Sequence, residues 1–169
     1  MSVDWGEVYR GSFGELVRFL HRKVWDEERA RDLAQETFAR ALTREPENPR
    51  AWLFRVASNL ARDEARLVVR RKRHLVLLRT EAEQAEADAP TAAAEMEAEE
   101  RTERLRLALE SLSERDREVL LLWDAGMRYP EIARETGLSV GAVGTTLSRA
   151  RRRLVEAHLA LEAKHAARG

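Results

Sequence analysis

The chain has 169 residues, enough for one medium-sized domain or two small ones, and 44% of them are hydrophobic. It contains no cysteine, which excludes disulfides and thiolate metal sites, and no apolar run approaches the length of a membrane span. Its 30 basic and 30 acidic residues give a net charge of zero, whereas a protein that binds nucleic acid alone usually carries a basic excess. The first residues lack the apolar core of a signal peptide, so we expect a cytoplasmic protein.

The composition favours helices throughout. Ala, Leu, Glu and Arg dominate it, while proline and glycine number only four and eight. No long run of alternating β-branched residues predicts a strand. We therefore expect an all-α fold with two small helical domains, residues 1–73 and 105–169, joined by a flexible acidic linker over residues 74–104. The second domain is expected to contain a helix-turn-helix.

Residues 1–73 are predicted to form three or four helices, of which the second and third are the clearest. The third begins sharply, because Asn48 is a good N-cap and Pro49 suits the first helical position, and it can continue to about Arg73. Along the second, residues suited to a buried face recur at helical spacing: Ala30, Leu33, Ala34, Thr37, Phe38, Ala41 and Leu42.

Projected at about 100° per residue, the third helix has two distinct faces. Its apolar face is made of Leu53, Ala57, Leu60, Ala61, Leu67 and Val68. The other face combines a tryptophan and an amide with charged residues: Trp52, Arg55, Asn59, Arg62, Asp63, Arg66 and Arg70. This combination suits single-stranded DNA, because an indole can stack on a base while arginines hold phosphates and an amide bonds a base edge. A core tryptophan beside solvated arginines would explain the same pattern, and both interpretations stay open.

Charge is unevenly distributed around the middle of the chain. Residues 62–79 hold seven basic residues against two acidic ones, whereas residues 81–100 hold eight acidic residues and no basic one. The acidic stretch has no large aliphatic residue except Met96 and cannot bury a core, which predicts a solvated linker, although its composition also allows transient helix after Thr91. Blocks of opposite sign indicate different partners for different segments.

The second domain is predicted to begin with two helices. Ser113 and Asp116 resemble a capping box that opens the second of them, and this helix stops near Gly126. The first has an apolar stripe at Leu105, Ala108, Leu109 and Leu112.

The strongest local motif follows, at residues 128–154. Pro130 can begin a helix, Gly137 can end it in a left-handed conformation, and Ser139 can cap the next helix. Two short helices joined by a tight glycine turn are typical of a DNA-reading helix-turn-helix. An ordinary helical hairpin with a solvated arginine cluster is the alternative.

The last helix of this motif also has two faces. We expect Val140, Val143, Leu147, Ala150 and Leu154 to pack inward. The outward face is made of Gly141, Thr145, Ser148, Arg149 and Arg152. Small residues at its start allow close approach to base edges, and the arginines suit phosphates.

Three motifs, in this order, resemble those of the extracytoplasmic-function (ECF) sigma factors of bacterial RNA polymerase. They are DLAQETFARAL at residues 32–42, AWLFRVASNLARDEAR at 51–66 with RRKR at 70–73, and the segment beginning LSERDREV at 112–154. The resemblance implies a sigma factor without catalytic residues, cofactor or metal. It also implies partners: the clamp and flap of core RNA polymerase, promoter DNA, and an anti-sigma factor.

The resemblance further implies three sets of site residues. Those for core polymerase are Asp32, Gln35, Glu36 and Arg40. Those for the −10 element are Arg44, Asn48, Arg50, Trp52, Arg55, Asn59, Arg62, Arg66 and Arg70. Those for the −35 element are Arg128, Ser139, Gly141, Ala142, Thr145, Thr146, Ser148, Arg149 and Arg152. The chain departs from the family at Gly144–Thr146, where basic residues are usual, and in a short loop before Trp52.

Two other functions are alternatives to the sigma factor. A stand-alone helix-turn-helix regulator would use the first domain for sensing or dimerisation and would bind half-sites one helical turn apart, but it leaves the Trp–Arg–Asn face unexplained. An enzyme is disfavoured, because the sequence has no P-loop, no His-Glu-x-x-His and no nucleophile motif, and its four histidines are scattered.

Overall fold

The computed structural model describes residues 2–75 and 92–168, and all regular structure in these two stretches is α-helical. The helices are α1 (Trp5–Val24), α2 (Glu27–Ala41), α3 (Pro49–Leu75), α4 (Ala92–Glu110), α5 (Glu114–Asp124), α6 (Tyr129–Thr136) and α7 (Val140–Ala166). The all-α prediction is therefore confirmed. Within the described stretches, no helix combines the length and apolar character needed to cross a bilayer. Residues 76–91 of the predicted linker lie outside the described residues.

Side-chain caps set where the first three helices begin. Asp4 and Asp26 each accept the backbone N–H three residues ahead, at the starts of α1 and α2. Asn48 Oδ1 accepts the backbone N–H of Ala51 at 3.0 Å. The third helix therefore begins at Pro49, as predicted.

The first three helices bury their apolar faces against one another. Their buried apolar residues are Leu16, Phe19, Leu20, Ala30, Leu33, Ala34, Phe38, Ala41, Leu53, Phe54, Ala57, Leu60 and Ala61. Two residues expected in this core are exposed. Leu42 is 71% exposed because it follows the last residue of α2. Leu67 is 45% exposed, although Glu64 one turn earlier on α3 accepts a hydrogen bond from Arg29 of α2.

The end of the predicted linker belongs to a helix. Residues 92–104 form the first part of α4, so the expected domain limit at residue 104 falls inside this helix. The helix packs along α7, where His165 Nε2 lies 3.3 Å from Glu100 Oε2, and Ala108 and Leu109 are buried. The Ala/Glu composition allowed a helix here, but nothing in it indicated the packing on α7. The domain limits themselves stay predictions.

The helix-turn-helix is confirmed in α6 and α7. Gly137 ends α6 in the left-handed region, with φ of 71°, which glycine adopts without steric cost. Ser139 Oγ then accepts the N–H of Ala142 at 3.3 Å and caps α7. The prediction that Val140 packs inward is wrong: as the first residue of α7 it is 50% exposed. The core instead contains Val119, Leu120, Leu121, Leu122, Ile132, Ala133, Val143, Leu147 and Ala150.

Only half of the predicted capping box at the start of α5 forms. Ser113 Oγ accepts the N–H of Asp116 at 3.1 Å, but the carboxylate of Asp116 turns toward α7. There it accepts hydrogen bonds from Arg149 at 2.7 Å and Arg153 at 2.8 Å, with only 1% of its side chain exposed. These bonds hold the pKa of Asp116 below its ordinary value, although burial opposes them. The buried carboxylate thus links α5 to the last helix.

Replacing Asp116 with asparagine should lower the free energy of unfolding by about 1–3 kcal/mol at neutral pH, because two charge-assisted hydrogen bonds are weakened. A carboxylate with a depressed folded pKa stabilises the protein above its unfolded pKa, and that stability is lost as the pH falls through the folded pKa. The difference between wild type and D116N should therefore shrink below about pH 4. Urea denaturation from neutral to acidic pH measures this, and a difference that stays constant would contradict it.

The two helical units are packed against each other. Buried apolar residues of both units form one continuous cluster, and α1 lies against α5. Ion pairs cross the boundary between Arg22 and Asp124 and between Lys23 and Glu118. The sequence predicted two domains but did not indicate this contact.

Candidate nucleic-acid interface

A pair of tryptophans lies at the start of α3. Trp52 is half-buried, and its ring lies 6.1 Å from that of Trp5, measured between centroids, at an interplanar angle of 58°. Trp5 Nε1 donates to the backbone oxygen of Arg44 at 3.1 Å and so holds the loop before α3. Nothing in the sequence indicates this role of Trp5, because it lies 47 residues from its ring partner and outside any periodic pattern.

The predicted polar face of α3 is present. Arg55, Asn59 and Arg66 are exposed and Arg62 is partly exposed, so four of the predicted −10 residues share one side of the helix with Trp52. Arg62 Nη1 donates to Asn59 Oδ1 at 3.0 Å, which orders the two side chains relative to each other. The side chain of Arg70 lies outside the described residues.

Two other predicted −10 residues contact the second unit. Asn48 Nδ2 donates to Glu131 Oε1 of α6 at 2.6 Å, while Oδ1 of the same amide caps α3. Arg50 donates to the backbone oxygen of Ala125 and, at 2.7 Å, to Glu15 Oε2. In this arrangement the second unit therefore already occupies hydrogen-bonding atoms expected to serve DNA.

A cavity of about 490 Å³ lies between the loop before α3 and the helix α6. Residues of the first unit along its wall include Asn48, Trp52 and Arg55, and two glutamates of α6 line the opposite side, Glu131 and Glu135. Burial raises the pKa of Glu135, and repulsion from Glu118 adds to the shift. Burial acts on Glu131 in the same direction, but hydrogen bonds from Arg128 and Asn48 outweigh it and leave the pKa of Glu131 lowered.

The predicted polymerase-binding face lies on the outside of α2. Asp32, Gln35 and Arg40 are exposed and Glu36 is partly exposed, opposite the buried stripe of the same helix. Arg40 and Glu36 form an ion pair at 2.6 Å along this face. The four predicted residues are thus available together on one surface.

Fewer residues of α7 are exposed on its outward face than the sequence predicts. Gly141, Thr145, Ser148 and Arg152 are exposed, and Ala142 is partly exposed. The expectation that Thr146 faces DNA is not met, because this residue is only 5% exposed and points into the core. Arg149, Ser139 and Arg128 are accessible at least in part, but Arg149 is bound to Asp116 and the hydroxyl of Ser139 caps α7.

The buried position of Thr146 also changes the significance of Gly144–Thr146, where the chain lacks the basic residues that are usual in the family. Gly144 is partly buried, and a Cβ built on it would lie 3.4 Å from Cε2 of Tyr129. Of these three positions only Thr145 is fully exposed. The missing basic residues therefore concern one outward position rather than three.

Comparison with protein families matches both units in order. The family model described as sigma-70 region 2 matches residues 9–73, and that described as sigma-70 region 4 matches residues 102–154. The first match runs from the second turn of α1 almost to the end of α3. The second runs from the second half of α4 through α5 and α6 to Leu154 of α7.

Individual sigma factors are also similar to the chain over most of their length. The chain is 30% identical to RNA polymerase sigma factor YlaC of Bacillus subtilis over 151 residues, 86% of each chain. It is 35% identical to the ECF RNA polymerase sigma factor EcfG of Rhodopseudomonas palustris over 133 residues, which is 75% of this chain and 70% of that one. It is 29% identical to the ferric citrate uptake sigma factor FecI of Escherichia coli, over 88% of this chain and 87% of that one.

Two solved structures share the fold. One is the sigma factor RpoE of Bartonella quintana in complex with the anti-sigma factor NepR, with a TM-score of 0.66 and 24% identity over 91% of this chain and 96% of that one. The other is CnrH in complex with the cytosolic domain of CnrY, with a TM-score of 0.62 and 30% identity over 90% of this chain and 85% of that one. The chain belongs to the ECF group of sigma-70 factors, which direct bacterial core RNA polymerase to promoters.

Proposed function

We propose that this sigma factor divides promoter recognition between its two units: α2 binds core polymerase, the α3 face and the loop before it bind the −10 element, and α7 binds the −35 element. The observation that carries this proposal is the α3 face, where exposed Arg55 and Asn59 lie on the same side of the helix as the partly exposed Trp52 and Arg62.

At the −10 element, the proposed chemistry is capture of a base taken out of the stack. Unstacking a base costs a few kcal/mol, so stacking and hydrogen bonds must offset it. Trp52 offers a ring for stacking, and Arg55 and Arg62 offer positive charge for phosphates. The amide of Asn48 lies at the edge of the same cavity.

At the −35 element, the start of α7 presents small residues to the major groove. Gly141 and Thr145 allow the backbone to approach base edges, while Arg152, with 72% of its side chain exposed, suits a phosphate. The chain as a whole has no net charge, so we expect weak duplex binding by the free protein. In the holoenzyme, core polymerase then contributes part of the affinity for promoter DNA.

Regulation by an anti-sigma factor is part of the proposal. RpoE of Bartonella quintana and CnrH were both solved with partners, NepR and the cytosolic domain of CnrY, and this chain is similar to both over most of its length. We expect the protein to act in the cytoplasm, where core polymerase works, and to take no catalytic part in RNA synthesis. Purification from the native host should recover a tightly bound inhibitor; recovery only as free protein or with polymerase would count against one.

Transcription with purified bacterial core polymerase tests the main proposal. Templates that tile the source genome should yield specific run-off transcripts only when the protein is added, and sequencing their starts would define the promoter. The alternative regulator makes a different prediction, since a helix-turn-helix dimer would protect two half-sites one turn apart without polymerase. Absence of any specific transcript together with such a footprint would overturn the sigma-factor proposal.

A further inference from the structure

A short arm of the chain lies against the loop that precedes α3. The arm is formed by residues 2–5, the last of which begins α1. Its backbone is turned, since the N–H of Trp5 donates to the oxygen of Val3 at 3.0 Å. Asp4 Oδ1 accepts the N–H of Glu7 at 3.0 Å and joins the arm to the first turn of α1. The arm therefore has a set position relative to this helix.

The arm binds the loop through three hydrogen bonds. Glu45 accepts two of them, from Ser2 Oγ at 3.0 Å through Oε1 and from the N–H of Val3 at 2.9 Å through Oε2. The third runs from Trp5 Nε1 to the backbone oxygen of Arg44 at 3.1 Å. Two neighbouring residues of the loop are thus attached to a segment about forty residues earlier in the chain.

These contacts fix two residues that belong to the proposed −10 site. The N–H of Arg44 donates to the oxygen of Ala41 at 2.9 Å, so Trp5 completes the hydrogen bonding of the Arg44 backbone. The ring of Trp5 also lies 6.1 Å from that of Trp52, between centroids. The arm thus supports both the charged and the aromatic part of this site, and Arg44 and Trp52 line the same cavity of about 490 Å³.

Burial contributes little to holding the loop. Its residues 42–45 are all exposed. A second cavity, of about 440 Å³, opens between the arm and the loop. It is lined by Val3 and Val8 near the arm and by Pro46 and Pro49 near the loop. A segment with few buried apolar contacts opens easily, so the hydrogen bonds from the arm make a large contribution to the position of this loop.

The arm lies outside the part of the chain that matches a family model, because the match to sigma-70 region 2 begins at residue 9. A binding site discriminates between ligands only as strictly as its supporting residues hold it, and a displacement of about 1 Å is enough to loosen it. We infer that the arm positions the loop before α3 and thereby sets how strictly the bases of the −10 element are discriminated. Trp5 and Glu45 act through the loop and are positioning residues. This inference rests on the proposed function of the α3 face and its loop.

The variant E45A tests the inference in the holoenzyme. The readout is the ratio of run-off transcripts from the native promoter and from a template with one base of the −10 element replaced. E45A removes the acceptor of two hydrogen bonds and should lower this ratio about two- to tenfold. Loss of a negative charge near DNA would by itself strengthen binding to both templates and leave the ratio unchanged. The matched control is E7A, which removes an exposed carboxylate from the lining of the same second cavity and should keep the wild-type ratio.

The variant W5F tests the other attachment. Phenylalanine keeps an aromatic ring beside Trp52 but lacks the N–H that binds the oxygen of Arg44. We expect W5F to lower the same ratio about two- to tenfold. Its control is Y9F, which removes a hydroxyl group from an exposed ring one turn further along α1 and should keep the wild-type ratio.

Two comparisons separate positioning from a general loss of folded protein. Partial unfolding lowers transcription from both templates by the same factor, so it leaves the ratio unchanged. Discrimination against a base replaced in the −35 element should be the same in all four variants as in wild type. Wild-type −10 ratios in E45A and W5F, or an equal fall at both elements, would overturn the inference. If the wild-type protein itself fails to discriminate at the −10 element, the proposed function of the loop is overturned and the inference with it.

Discussion

Replacing Trp52 with alanine should reduce specific transcription by the holoenzyme about 5- to 150-fold, because stacking of one base on an aromatic ring is worth about 1–3 kcal/mol. The ring is half-buried against Trp5, and its remaining surface lies at the edge of the cavity beside α6. Run-off transcription from a linear promoter fragment measures the loss. Phenylalanine at this position keeps an aromatic face and should retain most of the activity.

The same variant separates the two interpretations of Trp52 that the sequence leaves open. If Trp52 serves mainly to pack against Trp5, alanine should lower the melting temperature and leave transcription by the folded protein unchanged. If it stacks on a base, transcription should fall at temperatures where circular dichroism shows W52A to be folded. If folded W52A transcribes at the wild-type level, the indole of Trp52 takes no part in recognition of the −10 element.

Replacing Phe54 with alanine should lower the free energy of unfolding of the first unit by about 3–5 kcal/mol, the usual cost of a large cavity in a core. Phe54 is fully buried, its ring lies 5.3 Å from that of Phe19, and the guanidinium of Arg50 lies 4.9 Å from its centroid. Urea denaturation monitored by tryptophan fluorescence measures the change.

Leu42 provides the matched control for this core prediction. The sequence assigned Leu42 to the buried stripe of α2, but it is 71% exposed. L42A should therefore change the free energy of unfolding by no more than about 0.5 kcal/mol. A loss as large as that of F54A would mean that Leu42 is buried in solution and that α2 continues beyond Ala41.

Features that depend on neighbouring residues could be predicted from the sequence. The start of α3 follows from Asn48 and Pro49, and the helix-turn-helix follows from Gly137 and Ser139, because caps and turns act within a few residues. The division of α3 into apolar and polar faces follows from its 3.6-residue period. The predictions of burial are wrong at the ends of helices, as at Val140, where fewer neighbouring residues cover the side chain.

Features that depend on a distant partner could not be predicted. The partner of Asp116 is a pair of arginines on α7, more than thirty residues away, so the local capping-box pattern was incomplete. The contact of Asn48 with Glu131 spans 83 residues. Nothing in the periodicity of either helix indicates that their N-terminal turns meet.

The N-cap of α3 fixes which end of the Asn48 amide is directed toward α6. Because Oδ1 is held by the N–H of Ala51, the amide cannot rotate to exchange its two ends without uncapping α3. Only Nδ2 is directed outward, so the side chain can give a proton to a ligand but cannot receive one there. Glu131 meets this requirement with a carboxylate oxygen, and any base that displaces it must present a carbonyl oxygen or a bare ring nitrogen. A base edge that offers only an amino group could not bind Nδ2, because both groups are hydrogen-bond donors. The N-cap of α3 therefore restricts which bases the adjoining cavity can accept.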